Sequence, residues 1–131
     1  GGKNIAPLAI ESAFSTDLYI ETVVLIGETR NYLTALVCPN FDSLRNWAIE
    51  QGLACRSNHE IANAPEVRKL FEERVAAVNA QFARFEQIKK FAILEEPFSV
   101  GTGELTPTEK LKRSVIAKKY HDVIDAMYEA R

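Results

Sequence analysis

One lysine near the C-terminal end of the sequence has the chemistry of an anion-binding group. Lys110 follows the tetrapeptide Thr-Pro-Thr-Glu at 106–109, and no acidic residue occurs from 110 to 120. A lysine ammonium is a compact positive charge on a flexible stem, so it can reach a phosphate or a carboxylate. Four further basic residues follow, namely Lys112, Arg113, Lys118 and Lys119. Because a basic run on an amphipathic helix is commonly a solvated face, the residues alone leave both interpretations open.

The tetrapeptide before Lys110 predicts the start of a helix. Thr106 can accept a hydrogen bond from the amide of Glu109, whose side chain can reach back, and Pro107 suits the first helical position. The last helix is therefore expected to begin here and to bury an apolar stripe as far as Tyr128. Lys110 would then lie near the positive end of the helix dipole, which is unfavourable unless an anion binds there.

The remaining reactive side chains form no recognisable site. His59 and His121 have no nucleophile or carboxylate at a telling spacing, and Cys38 and Cys55 do not form a Cys-x-x-Cys pair. The six glycines are too scattered to make a phosphate-binding loop, and the acidic residues form no obvious magnesium cluster. No metal site is therefore predicted in this chain, and its cysteine usage suits a reducing compartment.

The composition is that of one globular domain of ordinary size. The 131 residues are 47% hydrophobic and 26% charged, which is enough apolar material for a core. A count of 16 basic against 18 acidic residues gives a net charge of −2, so no overall positive field favours nucleic acid. No apolar run approaches the roughly 18 residues of a membrane-spanning helix, and the N-terminus lacks signal-peptide character.

The pattern of apolar residues predicts an α+β fold, with a small, mainly antiparallel β-sheet of about three strands packed with several α-helices. The first two of the expected strands form a hairpin, and the strands lie at 19–26, 32–38 and 88–94. The expected helices lie at 8–14, 41–51, 65–85 and 106–128. The polar segment 53–64 is expected to be a loop with about one helical turn.

Two motifs at opposite ends of the chain resemble one protein family. The first is Gly-Gly-Lys-Asn-Ile-Ala-Pro at 1–7, which runs into Ile10-Glu11, and the second is Leu-Thr-Pro-Thr-Glu-Lys-Leu-Lys-Arg at 105–113. Together they resemble the C-terminal domain of the AMP-forming adenylating enzymes, specifically the long-chain fatty-acid–CoA ligases. The resemblance covers essentially the whole chain, and two motifs in the correct order are far more specific than either alone.

The resemblance implies an AMP-forming acid–thiol ligase that works in two steps. A fatty acid attacks ATP to give an acyl-adenylate and diphosphate, and CoA then takes the acyl group and releases AMP. Lys110 matches the family's catalytic lysine, whose ammonium offsets the negative charge that builds up as the carboxylate attacks phosphorus. Shorter-chain relatives carry Ser-Gly before that lysine, whereas this chain has Thr108-Glu109, so a shifted register would assign the role to Lys112.

The resemblance also implies that residues 1–131 form a single mobile lid domain at the C-terminal end of a larger enzyme. The lid is expected to rotate on a hinge just upstream of residue 1 and to present Gly1, Gly2 and Lys3 to CoA. A backbone without Cβ atoms can approach the narrow pantetheine arm closely. ATP, Mg²⁺ and the fatty acid are expected to bind mainly to an N-terminal adenylation domain of the same polypeptide. The isolated lid is expected to be inactive, in a cytoplasmic enzyme with or without peripheral membrane contact.

Two alternatives stay open at this point. A fatty-acyl–AMP ligase shares the same domain but passes the acyl group to the tethered phosphopantetheine of a carrier protein. A stand-alone interaction domain would instead dock its basic helix, from Lys110 to Lys119, on an acidic partner or an anionic membrane.

Overall fold

The computed structural model describes residues 5–27 and 30–129, and within them it contains three strands and six α-helices. The strands are β1 (Ile20–Ile26), β2 (Leu33–Pro39) and β3 (Ile88–Ile93). The helices are α1 (Pro7–Ser12), α2 (Phe41–Glu50), α3 (Asn58–Asn63), α4 (Pro65–Asn79), α5 (Arg113–Lys119) and α6 (His121–Tyr128). A short 3₁₀ helix, Arg84–Glu86, precedes β3. The predicted α+β class with a three-stranded sheet is confirmed.

β2 is the central strand of the sheet, which has the order β1-β2-β3. β1 runs antiparallel to β2, with Val23 opposite Val37, and forms the predicted hairpin. β3 runs parallel to β2, with Phe91 opposite Ala35, after a crossover that contains α2, α3 and α4. A parallel neighbour requires such a long connection, so the third strand gives the sheet its mixed character. All seven residues of β2 are buried.

Two hydrophobic clusters cover the two faces of the sheet. Successive residues of β2 point to opposite faces, so Ala35 and Val37 belong to one cluster and Leu36 to the other. The larger cluster takes side chains from α1 to α4 and the segment after α1: Ile10, Phe14, Leu44, Ile61, Val67 and Phe71. The smaller cluster takes side chains from the last two helices: Ile116, Ile124 and Met127. The sheet therefore holds α5 in place, which gives the loop before α5 a fixed end.

The long helix predicted at 65–85 is present but shorter, because α4 ends at Asn79. The side-chain amide of Asn79 bonds both backbone groups of Ile88, donating to its carbonyl at 2.9 Å and accepting from its amide at 2.8 Å. Asn79 thus holds the first residue of β3 beside the end of α4. Phe82 and Phe85 lie in the intervening turn and 3₁₀ helix, so their helical spacing extended the prediction too far.

The segment 53–64, expected to be a loop, contains the six-residue helix α3. Ser57 and Glu60 form a capping box, in which the Ser57 hydroxyl accepts from the Glu60 amide and the Glu60 carboxylate accepts from the Ser57 amide, each at 3.1 Å. Only Ile61 and Ala62 are buried within this helix. Two buried residues are too few to give a periodic pattern, which explains why only one turn was expected here.

The prediction of a single helix at 106–128 is wrong. The chain forms two helices instead, α5 from Arg113 and α6 from His121, with a break at Tyr120 where φ is −105° and ψ is 24°. Residues 105–111 before α5 form a hairpin and not a helical turn. No helix within residues 5–27 and 30–129 is long and apolar enough to cross a membrane.

Candidate functional site

Residues 105–111, here called the lysine turn, form a short antiparallel hairpin that carries Lys110. Leu105 and Leu111 pair across its base as an isolated antiparallel bridge. Inside the hairpin the Thr106 amide donates to the Lys110 carbonyl at 2.8 Å, and the Lys110 amide donates to the Thr106 hydroxyl at 3.0 Å. Both backbone groups of Lys110 are therefore bonded to one residue, which fixes the main chain from which its side chain extends.

The Thr-Pro-Thr-Glu segment makes a β-turn, so the predicted helix cap is wrong. The Glu109 amide donates to the Thr106 carbonyl at 2.7 Å, which closes a four-residue turn with Pro107 at its second position. The fixed φ of proline suits that position as well as it suits a first helical turn, so this sequence signal has two solutions. Glu109 has a φ of 64°, a left-handed conformation that interrupts any helical path.

The structure separates the two lysines that the sequence offered for the catalytic role. Lys110 lies inside the lysine turn, where its side chain is exposed and has no ion-pair or hydrogen-bond partner among the described residues. Lys112 is also exposed, but it lies beyond the bridge, and its amide donates to the Glu104 carbonyl at 2.8 Å. Lys112 therefore belongs to the base of the turn, directly before α5.

A buried carboxylate supports that base. The Glu104 side chain is 0% exposed and accepts hydrogen bonds from the Lys119 ammonium, the Thr102 hydroxyl and the Ser99 amide. Its main-chain carbonyl accepts the Lys112 amide. One residue thus connects the loop before the lysine turn, the end of the turn and α5.

These donors keep Glu104 ionised in spite of its burial. Burial by itself raises the pKa of a carboxyl group, because the charged form loses its water. The hydrogen bonds from Lys119, Thr102 and Ser99 outweigh this effect and lower the pKa of Glu104 to about 2. The same contact raises the pKa of Lys119. At neutral pH the loop therefore contains a buried charge whose partners are all in place.

The basic residues after Lys110 do not form one uniform solvated face. Lys119 pairs with Glu104, and Arg113 pairs with Glu11 of α1. Among the basic residues from 110 to 119, Lys110, Lys112 and Lys118 are exposed and have no such partner in the described parts of the chain. Neither carboxylate of these pairs can be identified from the sequence alone, because the partners are 15 and 102 positions apart and no local spacing marks them.

The second candidate segment, Gly1, Gly2 and Lys3, lies outside the described residues. The described chain begins at Ile5, which packs against the larger hydrophobic cluster. α1 follows with Pro7 at its first position, as the sequence predicted, and Ile10 in this helix is 1% exposed. The chain directly after the segment is thus anchored in the core.

The two histidines lie beside surface carboxylates. His59 Nδ1 lies 3.0 Å from Glu95 Oε1, and this hydrogen bond raises the pKa of His59. His121 Nε2 lies 3.2 Å from Asp125 Oδ2. Across residues 5–27 and 30–129, no three side chains of His, Cys, Asp or Glu are grouped closely enough to hold a metal ion.

The two cysteines are expected to differ sharply in reactivity. Cys38 is buried in β2, and burial raises the pKa of its thiol to about 11, whereas Cys55 is half-buried in the loop before α3. Because the thiolate is the reactive form, iodoacetamide at about pH 8 is expected to modify Cys55 and to leave Cys38 intact in the folded protein. Peptide mass spectrometry measures both sites, with urea-unfolded protein as the control. Equal labelling of both thiols in the folded state would contradict the burial of Cys38.

The sequence of the whole chain matches one known protein family. Residues 1–131, the entire sequence, match the family model described as AMP-binding enzyme C-terminal domain. The chain belongs to this family. A putative fatty-acid–CoA ligase of Mycobacterium tuberculosis is 40% identical to this chain over 128 residues. A long-chain-fatty-acid–CoA ligase of the same organism is 33% identical over 129 residues, and one of Bos taurus is 37% identical over 147.

These curated relatives are much longer than this chain. The three alignments cover 97%, 98% and 98% of this chain but only 22%, 22% and 20% of the relatives, in the order given above. The chain therefore spans about a fifth of their length.

Solved structures share the fold of this chain. The A domain of a carboxylic acid reductase from Segniliparus rugosus, in complex with AMP and a co-purified carboxylic acid, has a TM-score of 0.74 at 20% identity and covers 97% of this chain and 18% of its own. The adenylation domain of a carboxylate reductase from Mycobacterium chelonae has a TM-score of 0.69 at 23% identity, covering 91% of this chain and 17% of its own. At these identities the likeness concerns the fold alone.

Proposed function

We propose that this chain is the mobile lid of a long-chain fatty-acid–CoA ligase and that Lys110 supplies the cation for acyl-adenylate formation. The observation that carries the proposal is the exposed Lys110 side chain, which has no partner among the described residues and extends from a backbone fixed by Thr106. Such a side chain can meet an anion outside the domain without first breaking an internal contact. The curated relatives, which are fatty-acid–CoA ligases, support the choice of reaction.

In the proposed first step, Lys110 stabilises the transfer of an adenylyl group. A carboxylate oxygen of the fatty acid forms a bond to the α-phosphorus of ATP, and the bond from that phosphorus to the diphosphate oxygen breaks. Negative charge is spread over the phosphate oxygens in the transition state, so a positioned ammonium lowers the barrier. A flexible lysine suits this role because it acts as a point charge and needs no fixed planar geometry.

In the proposed second step, Gly1, Gly2 and Lys3 face the pantetheine arm of CoA. The CoA thiol loses its proton and attacks the acyl carbonyl carbon, and AMP leaves with the electron pair of the broken carbon–oxygen bond. Glycines without Cβ atoms allow the arm to pass close to the backbone. The lysine and the thiol need the same space, so rotation of the lid on an upstream hinge would exchange them between the steps.

Most of the binding site is proposed to lie in an N-terminal adenylation domain of the same polypeptide. The six glycines of this chain are scattered, and its described carboxylates form no group suited to Mg²⁺. We therefore assign ATP, Mg²⁺ and the fatty acid to that domain. Residues 1–131 then act as one lid that is required for catalysis but inactive alone, in a cytoplasmic enzyme.

Replacing Gly2 with leucine in the full-length enzyme is expected to affect the second step selectively. A side chain in the path of the pantetheine arm displaces the thiol, and a displacement of about 1 Å lowers the rate of thioester formation by about tenfold or more. Thioester formation is measured with supplied acyl-adenylate and CoA, and acyl-adenylate formation in the same variant serves as the control. An unchanged thioester rate would remove the CoA-facing role of residues 1–3.

The proposed reaction is tested with the full-length polypeptide that contains this domain. With ATP, Mg²⁺, palmitate and CoA, it is expected to form palmitoyl-CoA and AMP in equal amounts. A carrier protein bearing phosphopantetheine replaces CoA in a parallel assay. Acyl transfer to the carrier alone would instead favour a fatty-acyl–AMP ligase. If no AMP formed with either acceptor, the proposal would be overturned, and the stand-alone interaction domain would be the remaining alternative.

A further inference from the structure

Two charged residues, one from each sequence motif, contact each other in the structure. Glu11 ends the first motif and Arg113 ends the second. The Arg113 guanidinium donates from Nη1 to Glu11 Oε2 at 2.8 Å and from Nη2 to Glu11 Oε1 at 2.5 Å. A two-point contact of this kind fixes orientation as well as distance. It joins positions that are 102 residues apart in the chain.

Glu11 is a firm anchor because of what surrounds it. Its side chain is only 9% exposed, and Oε2 also accepts a hydrogen bond from the Leu25 amide at 2.7 Å. Leu25 belongs to β1, which is an edge strand of the sheet, so this bond attaches the carboxylate to the sheet edge. The helix that carries Glu11 is itself held in the core by Ile10. The carboxylate therefore has a fixed position from which to hold Arg113.

Arg113 lies where the lysine turn joins α5. It is the first residue of α5 and follows Lys110 by three positions. A cavity of about 890 Å³ lies between α1 and α5, with Pro7 and Leu8 on one side and Ser114 and Ala117 on the other. The ion pair joins the two helices. The first turn of α5 therefore takes its position partly from Glu11.

We propose that Glu11 is a positioning residue for Lys110, which acts through Arg113 to fix the C-terminal end of the lysine turn to the sheet edge. The proposal rests on the function proposed above for Lys110. Glu104 also holds the base of the same turn, through Lys119 and the Lys112 amide. A cation that must meet a phosphate outside the domain loses rate when its mean position shifts. The expected effect is therefore on the rate of the first step and not on substrate binding.

The enzymatic test uses Glu11→Gln and Arg113→Gln in the full-length enzyme. Each variant is expected to lower kcat for acyl-adenylate formation by about tenfold, because a small misplacement of a catalytic group has an effect of this size or larger. The KM values for ATP and fatty acid, and thioester formation from supplied acyl-adenylate, are expected to stay within about twofold of wild type. Arg113→Lys keeps the charge without the two-point contact, so its kcat is expected to lie between those of wild type and Arg113→Gln. The double variant is expected to match the single ones, because both act through one contact.

The chain offers a matched control in Arg74 and Asp17. Asp17 accepts from the Tyr19 amide at 2.9 Å and from Arg74 at 3.2 Å, so it also joins a backbone amide to an arginine. Side-chain exposures are 39% and 11% in this pair, against 43% and 9% for Arg113 and Glu11. Arg74→Gln is expected to cost similar thermal stability and to leave kcat unchanged. An equal loss of kcat in Arg74→Gln and Arg113→Gln would mean a purely structural role and overturn the proposal.

Hydrogen exchange tests the anchor independently of catalysis. In full-length Arg113→Gln, amides in peptides covering 105–113 are expected to exchange about tenfold faster, since loosening of a hydrogen-bonded segment raises local exchange. The same peptides are expected to be unchanged in Arg74→Gln. If the exchange rates of these peptides were unchanged in Arg113→Gln, the proposal that Glu11 fixes the lysine turn through Arg113 would be overturned. Faster exchange with normal kcat overturns the positioning role alone, whereas full adenylate formation by Lys110→Ala overturns the proposed function and this proposal together.

Discussion

Acyl-adenylate formation is expected to fall by about 10²–10³-fold when Lys110 is replaced with alanine in the full-length enzyme, which is the usual effect of removing one preorganised charge or donor at a transition state. Thioester formation from supplied acyl-adenylate and CoA is expected to remain near the wild-type rate. The contrast follows from the chemistry, because negative charge builds up on phosphate oxygens only in the first step. Single-turnover assays of each half-reaction measure the two rates separately.

Lys112→Ala is the matched control for this experiment. Lys112 is also an exposed lysine of the same segment, but it lies beyond the Leu105–Leu111 bridge at the base of the lysine turn. Its replacement is expected to change adenylate formation by less than about threefold, the effect of removing one solvated surface charge. If Lys112→Ala gave the large loss and Lys110→Ala did not, the catalytic role would belong to the shifted register. Equal losses in both half-reactions of Lys110→Ala would argue against a charge that acts in the first step alone.

Glu104→Gln is expected to have the largest effect on stability. The amide cannot carry the charge that Lys119 faces, and one of its two polar atoms is a donor placed among the donors Thr102 and Ser99. Mispairing a buried group of this kind costs about 2 kcal/mol of unfolding free energy, reduced from the value for a fully buried pair because Lys119 is 35% exposed. Urea denaturation at neutral pH measures the loss. Glu73→Gln, which changes an exposed residue of α4, is expected to be neutral.

The pH dependence of this loss has a definite sign. The pKa of Glu104 is lowered from 4.5 to about 2 in the folded protein, so the folded state holds the charged form more strongly than the unfolded chain does. Its stabilising contribution is therefore present above about pH 4.5 and disappears as the pH falls towards about 2. The stability difference between wild type and Glu104→Gln is expected to shrink over this range. A difference that stays constant down to about pH 2 would contradict the ionised state assigned to Glu104.

Local patterns in the sequence predict most of the elements correctly, and the errors have identifiable causes. The predicted hairpin of β1 and β2 is confirmed. It was predictable because runs of β-branched residues on either side of a turn define a hairpin without distant partners. The start of the last helix is wrong because Thr106 and Pro107 suit both a helix cap and a β-turn. The Glu109 backbone takes the left-handed conformation in the folded chain, and nothing in the local pattern distinguishes the two solutions.

The candidate site could be predicted only in part, for a related reason. The motif around Lys110 is contiguous in sequence, so a resemblance could locate it before the fold was known. Glu104 and Glu11 act through Lys119 and Arg113, and only the packing of α5 against the sheet brings these pairs together. A long-range ion pair leaves no periodic signal in the chain. Residues that position a site are thus harder to predict from the sequence than the reactive residue itself.

The central position of β2 also sets an order in which the chain can assemble. Its partner β1 ends only a few residues before it, whereas its partner β3 begins 49 positions after Pro39, at Ile88. A hairpin closes within about 1–10 μs, but the parallel pairing must wait for the whole crossover. During synthesis from the N-terminus, one edge of a strand whose seven residues are all buried in the folded domain therefore stays open until β3 has left the ribosome. This interval is when the nascent chain is most exposed to aggregation and most in need of a chaperone.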